Sequence, residues 1–373
     1  MSVANFLKTI ALTASAGIVL ALPSATLAGG PAKAPDWNRA LAAKYLDDRE
    51  IWWQQWPHAL KDHGTVCVSC HTQAPYALVR AALRNDLNQD NPSAPESVML
   101  ASILKRVELG DEALPFYNDK DNGPGKTLEG RNAEAVLNAV ILVSYDAQNR
   151  HLSAPARKAL DRMWTSQEQS GDRAGAWVWQ NFHYEPWEGD TSEYYGAAMA
   201  AIAAGSALDN YATQPDVLAH LTLLKSYLIR KAPTQPLINR ALLLWASARL
   251  PGLLSRKDQL AVAQELLDAE QFDGGWSLES MGTWTRRDDS KPIIRSDGYS
   301  TGLVVLALED SAAGKGTSGL KRGLAWLRTN QDPATGAWPG WSVNKDRKPD
   351  NPAAQFMQDA ATAYAALALE RAR

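Results

Sequence analysis

The 373-residue chain holds two cysteines, three positions apart, with a histidine directly behind the second: Cys67-Val68-Ser69-Cys70-His71. Thiols at this spacing can each add to one vinyl group of a single haem, and the next side chain then lies under the iron as the proximal imidazole. On this reading Cys67 and Cys70 attach one covalent haem c and His71 is the proximal ligand. The motif fixes one of two axial positions. For the other, His183 lies in an aromatic loop, His63 is close in sequence, and Met99 lacks an accompanying Met-Pro segment; an open position is the fourth possibility. Three other chemistries fit the same residues: a local disulfide, a redox-active thiol pair, or a zinc site that adds His58 and His63 to the two cysteines and His71.

The wording Cys-Val-Ser-Cys-His-Thr resembles the haem sites of bacterial cytochromes c, over this short stretch only. That resemblance implies attachment outside the bacterial cytoplasm, and the chain start agrees with it. Lys8 precedes an apolar run from Ile10 to Leu22, and Thr26-Leu27-Ala28 offers small residues for cleavage before Gly29. This pattern is that of a secretory signal peptide, with a run too short to span a membrane. Residues 1–28 are therefore expected to be removed, 29–35 to form a flexible leader, and 36–373 to form one domain with a haem-attachment loop at 64–72. The expected location is periplasmic or otherwise exported. The formal charge of −3 provides no basic stripe for nucleic acid, and no later apolar run is long enough to span a membrane.

These residues need a scaffold, and the apolar periodicity predicts a helical one. Helices are expected near 36–61, 74–87, 94–109, 131–147, 154–168, 191–208, 215–230, 236–249, 256–270, 298–310, 318–330 and 356–371. Every second helix is rich in Ala, Leu and Val nearly all round, which marks a buried helix. Marks at Pro75, Asn132, Tyr194, Leu237, Tyr299 and Ala361 recur at near-regular intervals, as in repeat architectures. Six buried helices alternating with six amphipathic ones imply an all-α toroid, (α/α)6, with an open solenoid as the structural alternative.

The loops carry a second repeat. Arg322-Gly323-Leu324-Ala325-Trp326-Leu327 is followed by Gln331 and Gly336-Ala337-Trp338. Gln271-Phe272-Asp273-Gly274-Gly275-Trp276 is a second copy, and Gln167 with Gly175-Ala176-Trp177 a looser third. The pattern resembles the QW repeat of squalene and hopene cyclases, and Asp-Gly-Gly-Trp is also common in protein prenyltransferase β-subunits. In that family the repeat is structural, which implies the same for Gln167, Trp177, Gln271, Trp276, Gln331 and Trp338.

The catalytic marks of that family are mostly missing. No Asp-x-Asp-Asp acid is present; Asp119-Lys120-Asp121-Asn122 comes nearest. No cysteine beyond the haem motif can hold a prenyltransferase zinc. A fold resemblance does not carry activity. Two loops could still shape a cavity. One runs from Trp177 through Trp179, His183, Trp187 and Glu188 to Tyr194 and Tyr195. The other holds Trp284, Arg287, Asp289, Asp297 and Tyr299. Both precede buried helices, as His71 does, so all three would share one face, where Arg286, Arg287 or Arg295 could pair with haem propionates. The expectation is a monohaem c-type protein in electron transfer or haem-based redox chemistry, with a redox partner protein and an apolar, isoprenoid-like small molecule as ligand. If it is an enzyme, a haem-dependent oxidoreductase fits better than an isoprenoid cyclase. The competing class is a haem-independent cyclase-like enzyme or lipid-binding module with Cys67 and Cys70 bridged.

Overall fold

The computed structural model describes residues 36–113, 123–348 and 350–372. The expected signal peptide, the leader and the Asp119–Asn122 segment lie outside the described residues. Among those described are twelve α-helices and a single two-stranded sheet. No helix is long and apolar enough to cross a membrane.

The even-numbered helices are α2 (Gln73–Asp86), α4 (Gly123–Asn149), α6 (Ser192–Ser206), α8 (Leu237–Arg249), α10 (Gly298–Asp310) and α12 (Pro352–Arg371). Each packs on the next in chain order, and α12 returns to pack on α2. Their burial follows from composition. Every residue from Tyr194 to Ala204 in α6 and from Gly298 to Leu308 in α10 is buried. Gly302 lets α10 approach α12 closely, since a Cβ there would stand 2.6 Å from the Tyr364 backbone.

The odd-numbered helices are α1 (Arg39–Gln55), α3 (Ala94–Leu109), α5 (Ala154–Thr165), α7 (Pro215–Lys231), α9 (Arg256–Asp268) and α11 (Ser318–Thr329). They bury one stripe each, such as Val262, Ala263 and Leu266 in α9. Side-chain caps mark the starts of all but α7. Ser93 and Glu96 form a reciprocal capping box on α3, and Asn38, Ser153, Ser255 and Thr317 cap α1, α5, α9 and α11.

The three Gly-x-Trp copies act alike. The indole N–H groups of Trp177, Trp276 and Trp338 donate to the carbonyls of Met163, Leu266 and Leu327, at the ends of α5, α9 and α11. These carbonyls lie in the last helical turn, past the reach of the regular i+4 amide, although Leu266 O also accepts from Ala269 N and Met163 O from Ser166 Oγ. Gln167 Nε2 donates to Gly175 and His220 carbonyls, while Gln271 reaches only the nearby Ala269 carbonyl, at 3.5 Å. Gln331 joins the last odd helix to the first. Its Nε2 donates to the Asn38 and Gly336 carbonyls, and its Oε1 accepts from Asn38 N. Gln331→Ala is expected to lower stability by about 1–3 kcal/mol, read as an earlier urea midpoint. An unchanged midpoint would show that this clasp is dispensable.

Candidate functional site

The Cys67–His71 loop is held from three sides. Pro57 follows the end of α1, where proline cannot continue a helix. The chain then turns through a hairpin of β1 (Leu60–Lys61) and β2 (Thr65–Val66), closed by His63 and Gly64 at positive φ. Cys67 N donates to the Ala59 carbonyl at 2.9 Å. Trp53 Nε1 donates to the Cys67 carbonyl, and Tyr195 OH to the Cys70 carbonyl. Ser69, inside the motif, accepts from the amides of Thr72 and Gln73 and so starts α2 immediately after His71.

Cys67, Val68, Ser69 and His71 line a cavity of about 570 Å³. Its other walls are the end of α1 and the turn that follows it (Trp53, Trp56, His58), the 180–188 loop (Phe182, Tyr184, Glu188) and the first turns of α12 (Phe356). The His71 ring is buried and stacks on Phe356 at 3.7 Å, with Trp53 edge-on at 5.4 Å. Its Nδ1 lies 3.0 Å from Thr72 Oγ1. Burial, aided by the Arg49 charge, pushes His71 down to about 3, so the ring is neutral.

The two cysteines are not bonded to each other. Burial pushes Cys67 up to about 11 and Cys70 well above the usual thiol range. Neutral thiols are poor nucleophiles, which disfavours a redox-active pair. Among the described residues no group of three or more His, Cys, Asp or Glu side chains is arranged to hold a metal ion, so the zinc reading has no geometric support. The haem implied by the motif fits better. It needs a thiol and an imidazole on one aromatic cavity of a few hundred Å³ with polar groups at its edge. Cys67 and His71 meet the first condition, and Lys61, Gln180 and Asn351 the last. Cys70 is fully buried and is not on this wall, so a second thioether requires its sulfur to turn outward.

The distal candidates are elsewhere. Met99 is packed in the core on α3. His63 is exposed on the hairpin turn and bonds Asp62. His183 is exposed at positive φ, between two residues that do line the cavity. The second histidine on the wall is His58, 5.0 Å from the Trp56 ring. Its only sequence signal is that it precedes the motif after a helix-breaking proline.

The remaining expected residues divide into three groups. Trp187, Tyr195 and Tyr299 are buried around the motif: Trp187 lies 5.8 Å from His71 and 5.2 Å from Tyr299. Trp179 donates to the Trp187 carbonyl, Tyr194 to the Leu228 carbonyl, and Asp297 caps α10, so these three support the fold. Trp284 and Arg287 line a different cavity of about 560 Å³ with Glu185, Asp190 and Gln235, and Asp289 is exposed. No arginine of the 286–295 loop lines the cavity beside Cys67 and His71. Arg286 is held by Ser290 and the Ser342 carbonyl, and Arg295 lies over Trp341.

Glu188 is the acid on the cavity wall, and burial pushes it up to about 7 against the partial pull of Lys126. Below the ordinary value of 4.5 both folded and unfolded chains hold this proton. Between there and about 7 only the folded chain holds it, so stability falls as pH rises across that window. The share of Glu188 is up to about 3 kcal/mol, and Glu188→Gln is expected to flatten the decline between about pH 5 and pH 7 in urea unfolding. An identical slope in the variant would contradict this.

No family model and no curated protein matches the chain. Among solved structures it is similar to a wild-type glycosidase, at 12% identity and TM-score 0.45, and to a glycosidase variant in complex with glucose, at 13% identity and TM-score 0.46. Each alignment covers 90% of this chain and 98% of the other.

Proposed function

We propose that the chain is an exported protein that carries one covalent haem c on an (α/α)6 toroid and acts in electron transfer or haem-based redox chemistry. The observation that carries this reading is the joint presence of Cys67 and His71 on one aromatic cavity wall. The cyclic packing of the six even-numbered helices supports the toroid. Cys67 and Cys70 would hold the haem, His71 would ligate its iron, and Trp53, Trp56 and Phe356 would keep water from it. The bound group supplies one-electron exchange. His58 takes the place of His183 as the first distal candidate, because it shares the cavity with His71.

An apolar, isoprenoid-like ligand has a separate candidate position. A cavity of about 620 Å³ toward the C-terminal ends of α2, α4, α6, α8 and α12 has apolar walls of Ala77, Ala81, Val140, Ile202 and Leu367 and a polar edge that includes Gln148, Arg249 and Arg371. The haem reading is tested by the optical spectrum of protein exported from a host with haem-maturation genes. Reduction is expected to produce the sharp visible bands of haem c, lost in the double variant Cys67→Ser/Cys70→Ser. A colourless wild-type protein from that host would sink the proposal.

A further inference from the structure

His71 Nδ1 lies 3.0 Å from Thr72 Oγ1, and that hydroxyl lies 2.8 Å from Asp359 Oδ2. A carboxylate only accepts, so the Thr72 proton points to Asp359 and the Thr72 oxygen must accept from Nδ1–H. The tautomer of His71 is thereby set, and Nε2 keeps its lone pair for a ligand. Asp359 is itself fixed. Arg49 grips it in a fork, Nε to Oδ1 at 2.7 Å and Nη2 to Oδ2 at 3.0 Å, and Tyr45 OH donates to Oδ1 at 2.9 Å. His71, Thr72, Asp359 and Arg49 are all buried. The chain of bonds crosses the seam where α12 meets α1 and α2, joining residues almost the length of the domain apart.

We propose that Thr72 and Asp359 are positioning residues that set the donor strength of His71 toward the haem iron. This rests on the haem reading above. A histidine whose far nitrogen donates toward a carboxylate is a stronger base at its near nitrogen. Here the carboxylate acts through one hydroxyl and is partly balanced by Arg49, so its pull is moderated. A more basic Nε2 favours ferric over ferrous iron, and the low dielectric around four buried groups strengthens the effect. A purely structural role, tying α12 to the head of α2, would leave the redox equilibrium where it was.

The test is a redox titration of the purified holoprotein beside Thr72→Val and Thr72→Ser, each first stained for covalent haem after denaturation. Thr72→Val keeps the side-chain shape and removes the relay. Its ratio of reduced to oxidised haem at a fixed ambient potential is expected to rise about tenfold, a midpoint about 59 mV higher. Thr72→Ser keeps the hydroxyl and is expected to restore the wild-type midpoint. Where the valine variant is not recovered folded, Thr72→Ala removes the same hydroxyl and is expected to shift the midpoint the same way. A haem-bearing valine or alanine variant that titrates with the wild type would overturn the relay while leaving the haem reading intact, as would failure of serine to restore the midpoint. A wild-type protein that takes no haem stain would overturn the haem reading, and this inference with it.

Discussion

Asp359→Ala is expected to destabilise the fold by about 3–5 kcal/mol, because it leaves the buried Arg49 guanidinium without its counter-charge. The loss extends beyond one ion pair. Tyr45 OH and Thr72 OH also donate to this carboxylate, so two hydroxyls lose their partner at the same time. Desolvated donors cost more unpaired than their bonds contribute when made. Asp359→Asn keeps the shape and one acceptor oxygen, and is expected to cost less. Urea unfolding of both variants against wild type checks the order. If alanine and asparagine are equally mild, Arg49 reaches water on its own and the junction of α1, α2 and α12 does not depend on this carboxylate.

Trp338→Ala is the second large effect, at about 3–5 kcal/mol. Trp338 is fully buried, packs 5.8 Å from the Trp37 ring, and closes the end of α11 through its indole N–H. Alanine leaves both a cavity and an unpaired Leu327 carbonyl. The equivalent changes Trp177→Ala and Trp276→Ala are expected to act alike, since the same bond recurs at α5 and α9. A Trp338→Ala protein with an unshifted melting temperature would remove the structural role assigned to the Gly-x-Trp repeat.

The helices were legible where caps and burial agreed. The expected ranges 94–109 and 298–310 match α3 and α10 at both ends, where Ser93 and Asp297 cap the starts. Helix α4 begins at Gly123, eight residues before the expected 131, because Gly-Pro-Gly reads as a turn while Pro124 is also tolerated in a first helical turn. Helix α1 stops at Gln55, short of the expected 61, since Pro57 lies close behind. The short pairing of Leu60–Lys61 with Thr65–Val66 left no signal, as two-residue strands have no alternation to read.

At the candidate site the local part was legible and the tertiary part was not. Cys67 and His71 share a wall because the motif places them four positions apart ahead of a helix. Two groups that fix His71 come from the other end of the chain: Phe356, which stacks on its ring, and Asp359, which holds Thr72, both lie on α12, and no local spacing connects them to residue 71. Loop composition and nearness in sequence point to His183 and His63 as distal ligands, but the short hairpin turns His63 out while leaving His58 on the cavity wall.

The most direct measurement of the central claim is the intact mass of the protein recovered from the periplasm of a host that expresses haem-maturation genes. The expected result is the mass of the processed chain plus one haem, bound through Cys67 and Cys70, with the addition lost in Cys67→Ser/Cys70→Ser. A mass equal to the bare processed chain, or lower by two hydrogens as for a Cys67–Cys70 disulfide, would contradict it.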